Sequence, residues 1–353
     1  MLNDLRAKML SLQFRAIRRA VIVLIAKIPK DLERAITLGD ALNHLLMISP
    51  FRPLFKFSIP NNIKVNVHDL TFDSPMISAS FKDDVSSLFQ WQLIGIGGIT
   101  YKTVLKMPSK GNLRPRIQEV NHDGNYAILN SLGLPTKGVK KFLPQINNKK
   151  LTKFNRPIGI SIGGNSFEEY LAVFSEIDHH LNTIDFSQFF YEINISCPNT
   201  EDGKCLSDDL ESLNNLIIKF RDISSRMIVV KVSPDSSNEE VLKVCEILSD
   251  FSKTAINIGN TKYVKASDVG LSSKTFSKEG GGLSGKSLYS NTLRMVKLVA
   301  SKYDLPIIAT GGVSSYDNVK ELLDNGASLI GIATLLVSDP FQIPLINYRL
   351  SND

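Results

Sequence analysis

The sequence predicts a (β/α)8 barrel, and three observations carry that reading. From residue 76 onward, eight short runs rich in Ile and Val alternate with longer amphipathic stretches, the pattern of repeated βα units around a parallel sheet. Several runs are apolar nearly throughout, as strands covered on both faces must be. The polar and glycine-rich clusters fall at the carboxyl ends of these runs, where such a barrel carries its functional groups. With 353 residues, 43% of them hydrophobic, the chain is long enough for one large core and a small appendage.

The appendage comes first. Residues 1–55 read as a helical extension, LRAKMLSLQFRAIRRAVIVLIAKI followed by PKDLERAITLGDALNHLLM, with Pro29 opening the second helix. Arg15, Arg18, Arg19 and Lys27 surround the apolar stretch Ala20 to Ala26, which marks a candidate interfacial helix pair; a cap over the bottom of the barrel is the alternative. The AVIVLIA run is far short of the roughly 20 residues that span a bilayer. Lys27 and Pro29 follow it with no small-residue cleavage site, unlike a secretion signal.

The barrel domain spans 56–353. In its first segment, KFSIPNNIKVNVHDLTFDSP (56–75), alternation around a PNN turn predicts a hairpin closing the barrel's bottom. The strands are expected at MISASF (76–81), LIGIGGIT (93–100), RPIGISIG (156–163), FFYEINIS (189–196), RMIVVKVSP (226–234), TAINIGN (254–260), PIIATGG (306–312) and LIGIAT (329–334). Lys102 follows the second; Ser161 to Asn165, Asn194 to Asn199, Lys231 to Pro234 and Asn257 to Thr261 close the next four. Gly311 with Gly312, then Ala333 with Thr334, close the last two.

Lys plus Arg outnumber Asp plus Glu by 41 to 35. That excess suits an anionic ligand or membrane surface, and without a basic stripe interleaved with aromatics no nucleic-acid partner is expected. Three cysteines, Cys197, Cys205 and Cys245, form no CxxC pair, which argues for reduced thiols in a cytoplasmic setting. They cannot hold an iron–sulfur cluster with four thiolates. His179 and His180 are adjacent on a helix and point about 100° apart, His44, His68 and His122 are isolated, and no metal site is expected.

The chemistry concentrates in YEINISCPNT (191–200), where Cys197 stands between Asn194 and Asn199 at a strand end. A free cysteine is by default a small buried hydrophobe, but a thiol flanked by carboxamides in a loop suits proton abstraction beside a planar, hydrogen-bonded substrate. Lys231, inside the apolar IVVKVSP, needs an electron-rich partner, such as the pyrimidine edge of a reduced flavin. GGGLSG (280–285), TGG (310–312) and IAT (332–334) read as turns ahead of helices that can hold a phosphate, with ordinary tight turns the alternative for GGGLSG. Residues 200–209, TEDGKCLSDD, read as a flap carrying Cys205, and Cys245 as core.

Joined with ITYK (99–102), NSLGLP (130–135), the mid-strand lysine, GGLSG and TGG, the NxSCPN loop resembles that of the dihydroorotate dehydrogenases, flavoproteins of pyrimidine biosynthesis. The likeness runs over roughly residues 58–345 in matching order. It implies FMN as cofactor and oxidation of dihydroorotate to orotate, with Cys197 as general base and Lys102 and Lys231 at flavin or substrate. It implies that Asn130, Asn194, Asn199 and Asn260 with Thr261 hold the pyrimidine, Asn257 being the alternative to Asn260. Amides of Leu132, Gly133 and Leu134 would meet the substrate carboxylate. The flavin would touch Ala79, Ser80, Lys102, Ser161, Asn194, Lys231, Gly282, Gly285, Gly311, Gly312, Ala333 and Thr334, with Ser80 where the family typically places a glycine. The reaction removes a proton from C5 and a hydride from C6, so base and flavin N5 must lie on opposite faces of the ring.

Soluble, cysteine-based members of the family usually lack an N-terminal extension, whereas membrane-bound, quinone-reducing members have one and use serine. This chain combines Cys197 with an extension. The resemblance therefore implies quinone as acceptor and peripheral association with the cytoplasmic face of a membrane, with fumarate or an iron–sulfur partner chain passing electrons to NAD as alternatives. A homodimer stays open. Two further readings are a dihydropyrimidine dehydrogenase-like enzyme, whose loop resembles SCPH where this chain has Asn199, and a catalytically silent FMN-binding barrel.

Overall fold

The computed structural model describes residues 2–26, 31–195 and 209–353; Cys197, Asn199, Cys205, Lys27 and Pro29 lie outside them. Eight parallel strands form one sheet: β1 Met76–Ser78, β2 Ile99–Val104, β3 Ile158–Ile162, β4 Phe189–Asn194, β5 Ile228–Val232, β6 Thr254–Ile258, β7 Ile307–Thr310 and β8 Leu329–Ile332. Their order is β1-β8-β7-β6-β5-β4-β3-β2, and a parallel bridge between Ile77 and Gly98 closes the sheet on itself. The fold is the expected (β/α)8 barrel. Side-chain caps at Ser166, Asp209, Ser237 and Ser315 open four of the interleaved helices.

The second strand departs from its predicted limits. Leu93 and Ile94 complete the helix Val85–Ile94, Gly95 ends it at φ +106°, and the strand starts only at Ile99. The apolar run was long enough to serve both elements. Its glycines decide the break, since a Cβ on Gly97 would lie 2.0 Å from the Ser74 carbonyl oxygen.

The bottom of the barrel is sealed by the hairpin Val65–Val67 and Leu70–Phe72. Val67, Leu70 and Phe72 pack on the inward residues Ile77, Phe190, Val229, Ala255, Ile308 and Leu329. The turn falls at His68, φ +53°, rather than at PNN, which belongs to a short 3-10 turn, Asn61–Ile63. His68 Nε2 meets the Thr254 carbonyl at 2.8 Å, and that contact fixes the turn against the barrel.

At the mouth stands a second, four-stranded antiparallel sheet in the order Lys262–Lys265, Gly280–Gly285, Asn125–Asn130, Ile117–His122. GGGLSG is therefore an inner strand, not the expected turn. Close approach explains its glycines: a Cβ on Gly281 would lie 2.3 Å from the Asn130 carbonyl, and one on Gly282 2.0 Å from Thr261 Oγ1.

The extension consists of α1 Leu2–Val21, continuing as a π-helical turn Ile22–Ala26, and α2 Leu32–Ile48. Asp31 caps α2 by accepting from the Glu33 N–H. The extension does not cover the bottom of the barrel, where the hairpin sits. Instead α1 packs on the C-terminal helix Gln342–Leu350, and α2 on Val85–Ile94 and the mouth strand Ile117–His122. Arg6 donates to the Lys56 carbonyl, while Arg18 at the other end of α1 pairs with Glu119 and donates to the Tyr126 hydroxyl at 2.7 Å. Among the described residues no helix is long and apolar enough to cross a membrane.

Candidate active site

Side chains alternate along a strand, so the residues two beyond the sealed hydrocarbon layer also point inward. Those residues are Ala79, Glu192, Lys231, Asn257, Thr310 and Gly331, with Ser161 on β3, and the interior changes within one pleat from hydrocarbon to polar. Lys231, 6% exposed, lies level with Asn194 of β4 on one side and Asn257 of β6 on the other.

Its partner within the protein is one the sequence reading missed. Glu192, 2% exposed, has its carboxylate 3.9 Å from Lys231 Nζ. It accepts from Ser80 Oγ at 2.6 Å and from Asn257 Nδ2 at 2.7 Å. Lys231 also donates to Ser80 Oγ at 3.3 Å. The signal was in FFYEIN, a charge inside an apolar run, the same signal that singled out Lys231. Beside this cluster, Asn194 Nδ2 donates to Thr103 Oγ1 at 3.2 Å, Thr103 shares a hydrogen bond of 3.0 Å with Ser161, and Tyr170 donates to the Asn194 carbonyl.

The remaining expected residues fall into two groups. Ala79, whose N–H bonds Ile332 at 2.9 Å, joins Ser80, Gly311, Gly312, Ala333 and Thr334 around the ends of β1, β7 and β8. Gly311 and Gly312 turn at φ +137° and +75°, and a Cβ on Gly312 would lie 2.3 Å from the Tyr289 nitrogen at the start of the helix Tyr289–Ala300. Asn130, Gly282, Asn260 and Thr261 gather instead in and beside the mouth sheet, where Asn130 Nδ2 donates to Gly282 O at 3.1 Å. Gly282, which the resemblance puts at the flavin, lies in this sheet beside Asn130 and Thr261. Gly285 ends the same strand at φ +140°. Asn257, buried against Glu192, lies closer to Lys231 in the fold than half-buried Asn260 does.

Lys102 is half-buried on β2 and lines a narrow cleft with Asp83, Thr103, Thr136 and Gly138. Its ammonium has no hydrogen bond or ion pair among the described residues. Burial pushes its pKa down, Asp83 pulls it back up, and the charge of Arg116 pushes it down again. In the NSLGLP loop, Gly133 and Leu134 take successive positive φ values of +67° and +48°. A leucine in that region is uncommon and points to an imposed backbone shape. Cys245 is buried in the helix Asn238–Ser249, and burial pushes its thiol up to about 12.

The polar layer fits FMN. Asn257 Oδ1 and Thr310 Oγ1, on neighbouring strands, are buried with no hydrogen-bond partner among the described residues, and such groups call for a mate that a bound ligand can supply. Lys231 supplies a buried cation there, and the Gly311–Gly312 turn lies at the seventh-strand corner where this barrel usually holds phosphate.

Comparison with known proteins agrees with this geometry. The sequence model of the family described as dihydroorotate dehydrogenase matches residues 62–352. The catalytic subunit of dihydroorotate dehydrogenase B (NAD(+)) from Malacoplasma penetrans is 28% identical over 286 residues, covering 80% of this chain and 89% of that protein. Its counterpart from Pyrococcus furiosus is 27% identical over 285 residues, covering 80% and 90%. The crystal structure of DHODH in complex with ferulenol from Eimeria tenella superposes with a TM-score of 0.71 at 19% identity, covering 89% of this chain and 91% of that one. The family match leaves residues 1–61 outside. The structural likeness covers more than the barrel alone and so takes in part of the extension. The chain belongs to the dihydroorotate dehydrogenase family, FMN-dependent oxidoreductases of pyrimidine biosynthesis.

Proposed function

We propose that this chain oxidises dihydroorotate to orotate, with Cys197 taking the C5 proton. FMN, when bound, supplies the acceptor for the C6 hydride. The chain's own part is to hold the ring and to set the charge around it. Lys231 presents a fixed positive charge, and Glu192, Ser80 and Asn257 fix its direction. Asn194 and Asn130 offer carboxamides to the amides and carbonyls of the pyrimidine, and unpaired Asn groups would penalise a wrong ligand. The NSLGLP backbone offers N–H groups to the carboxylate.

The observation that carries this reading is the buried Lys231–Glu192–Asn257 cluster, whose Asn257 oxygen has no hydrogen-bond partner among the described residues, set at the carboxyl ends of the strands of a barrel of this family. Purified protein assayed with dihydroorotate and with dihydrouracil under a dye acceptor tests it. Bleaching of the flavin by dihydroorotate alone is expected, bleaching by dihydrouracil would transfer the reading to a dihydropyrimidine dehydrogenase, and bleaching by neither would leave a silent barrel.

For the electron acceptor the reading is a quinone at a membrane surface. Leu5, Met9 and Leu12 on α1 and Leu42, Leu45 and Ile48 on α2 are each 47–62% exposed and recur at helical spacing, as an apolar face that lies on lipid would. The names of the NAD(+)-type relatives favour a second reading, electron transfer to NAD through a partner chain that holds the iron–sulfur cluster. Reoxidation rates with quinone, fumarate and NAD separate the two.

A further inference from the structure

The extension reaches the substrate side of the barrel through a charged relay. Glu33, in the first turn of α2, grips Arg116 with both oxygens, at 2.9 Å to Nη2 and 3.1 Å to Nε. Asp31 and Glu33 together also hold Arg114, at 2.7 and 3.1 Å. Two carboxylates at a helix N-terminus gain from its dipole, and a bidentate guanidinium pair has little freedom of direction.

Arg116 is 9% exposed, and its Nη1 turns away from Glu33 toward three carbonyls. It donates to Lys110 O at 2.6 Å, Asn112 O at 2.8 Å and Leu132 O at 3.3 Å. Leu132 O also accepts from the Asn112 N–H at 3.0 Å, and Ser131 is held at both its N–H, by Arg116 O at 2.8 Å, and its carbonyl, by Asn112 Nδ2 at 2.8 Å. Because the peptide unit is planar, pinning the Leu132 carbonyl sets the direction of the Gly133 N–H. Gly133 and Leu134 then follow with the two positive φ values.

We infer that Glu33 is a positioning residue for the substrate: by orienting Arg116 it fixes the 131–134 backbone that receives the substrate carboxylate, so that the N-terminal extension sets substrate affinity. The inference rests on the proposed reaction for the identity of the ligand, but the coupling of α2 to the loop stands apart from it. Both Arg116 and Glu33 also act electrostatically on Lys102, in opposite directions, so the relay passes beside a second group of the site.

Glu33→Gln keeps the volume and loses the charge, and Glu33→Asp keeps the charge. In the flavin-loaded full chain, Glu33→Gln should raise KM for dihydroorotate roughly tenfold, the size of one weakened hydrogen bond to a charged group, with kcat and flavin content held and with Glu33→Asp between it and wild type. Amide hydrogen exchange over residues 130–134 should quicken by a similar factor without any substrate. Unchanged KM and exchange would overturn the inference, as would a joint fall of kcat and flavin content, which marks a structural role only. If Glu33→Gln does not fold, Glu33→Asp bears the same comparison. A wild-type protein that dihydroorotate cannot reduce would sink the proposed reaction, and the exchange measurement would still decide the coupling.

Discussion

Replacing Glu192 with glutamine tests the inner polar layer directly. The variant keeps the side-chain volume and one acceptor for Asn257, but Lys231 loses the one carboxylate within 4 Å of it among the described residues. Breaking a buried ion pair by removing one partner costs about 3–5 kcal/mol. Here the separation is 3.9 Å and the Ser80 hydroxyl remains at 3.3 Å, so the low end, about 3 kcal/mol, is expected. At about 2 °C per kcal/mol for a chain of this size, the melting temperature should fall by about 6 °C. The assay is thermal unfolding of wild type, Glu192→Gln, Lys231→Met and the double variant, with and without added FMN. Because the double variant removes the unpaired ammonium, it should be more stable than the sum of the single losses, by about 1–3 kcal/mol of coupling. A Glu192→Gln melting temperature within about 1 °C of wild type, or strict additivity in the double variant, would refute the claim that the two side chains form one buried unit.

Cys197→Ala should keep its flavin and lose roughly 10²–10⁴ in turnover, read from flavin absorbance and dye reduction; full activity would remove the base assignment. Lys102 has a folded pKa below 10.5 because of burial, so between its folded and unfolded values the unfolded chain binds more protons and stability rises with pH. Lys102→Met should therefore show a smaller rise, or an earlier fall, in stability than wild type as pH climbs toward 10.5, and identical profiles would contradict the burial argument. Deleting residues 1–50 would leave dye reduction intact if the extension were only an anchor. Since Ala7, Ala35 and Met47 are buried against the rest of the chain and Arg116 would lose Glu33, an insoluble or weakly binding product is expected instead, and a soluble product with wild-type KM would overturn that.

The barrel was legible because its strands announce themselves locally. A run such as RPIGISIG between two amphipathic stretches needs no knowledge of its neighbours. What the sequence hid are pairings that exist only once the sheet closes. Lys231 reads as a buried charge in want of a partner, yet the carboxylate that meets it is Glu192, two residues short of its register mate Asn194 on the adjoining strand, a proximity that no local pattern encodes. The glycines of GGGLSG were ambiguous for a related reason. A missing side chain signals either a turn or a close approach, and here the approaching group, Thr261 or the Asn130 backbone, comes from another part of the chain.

The same limit explains the extension. Basic residues around an apolar run are what an interfacial helix looks like in sequence, and Arg15, Arg18 and Arg19 fit that pattern alike. In the fold Arg18 turns inward to Glu119, while Arg15, which approaches Asp339 at 3.7 Å, and Arg19 are both exposed. Glu33 and Arg116, 83 residues apart in the chain, complete the inward attachment. The extension is thus polar and tightly bonded where it meets the mouth of the barrel, and its outward side carries exposed apolar residues such as Leu5, Met9, Leu12, Leu45 and Ile48 among basic ones. An anchor alone needs only the outward face. The inward one ties down a buried arginine, Arg116, and a half-buried one, Arg18, each of which must find a carboxylate, and such an arrangement has a physical rationale if the helices also hold the loop that binds substrate.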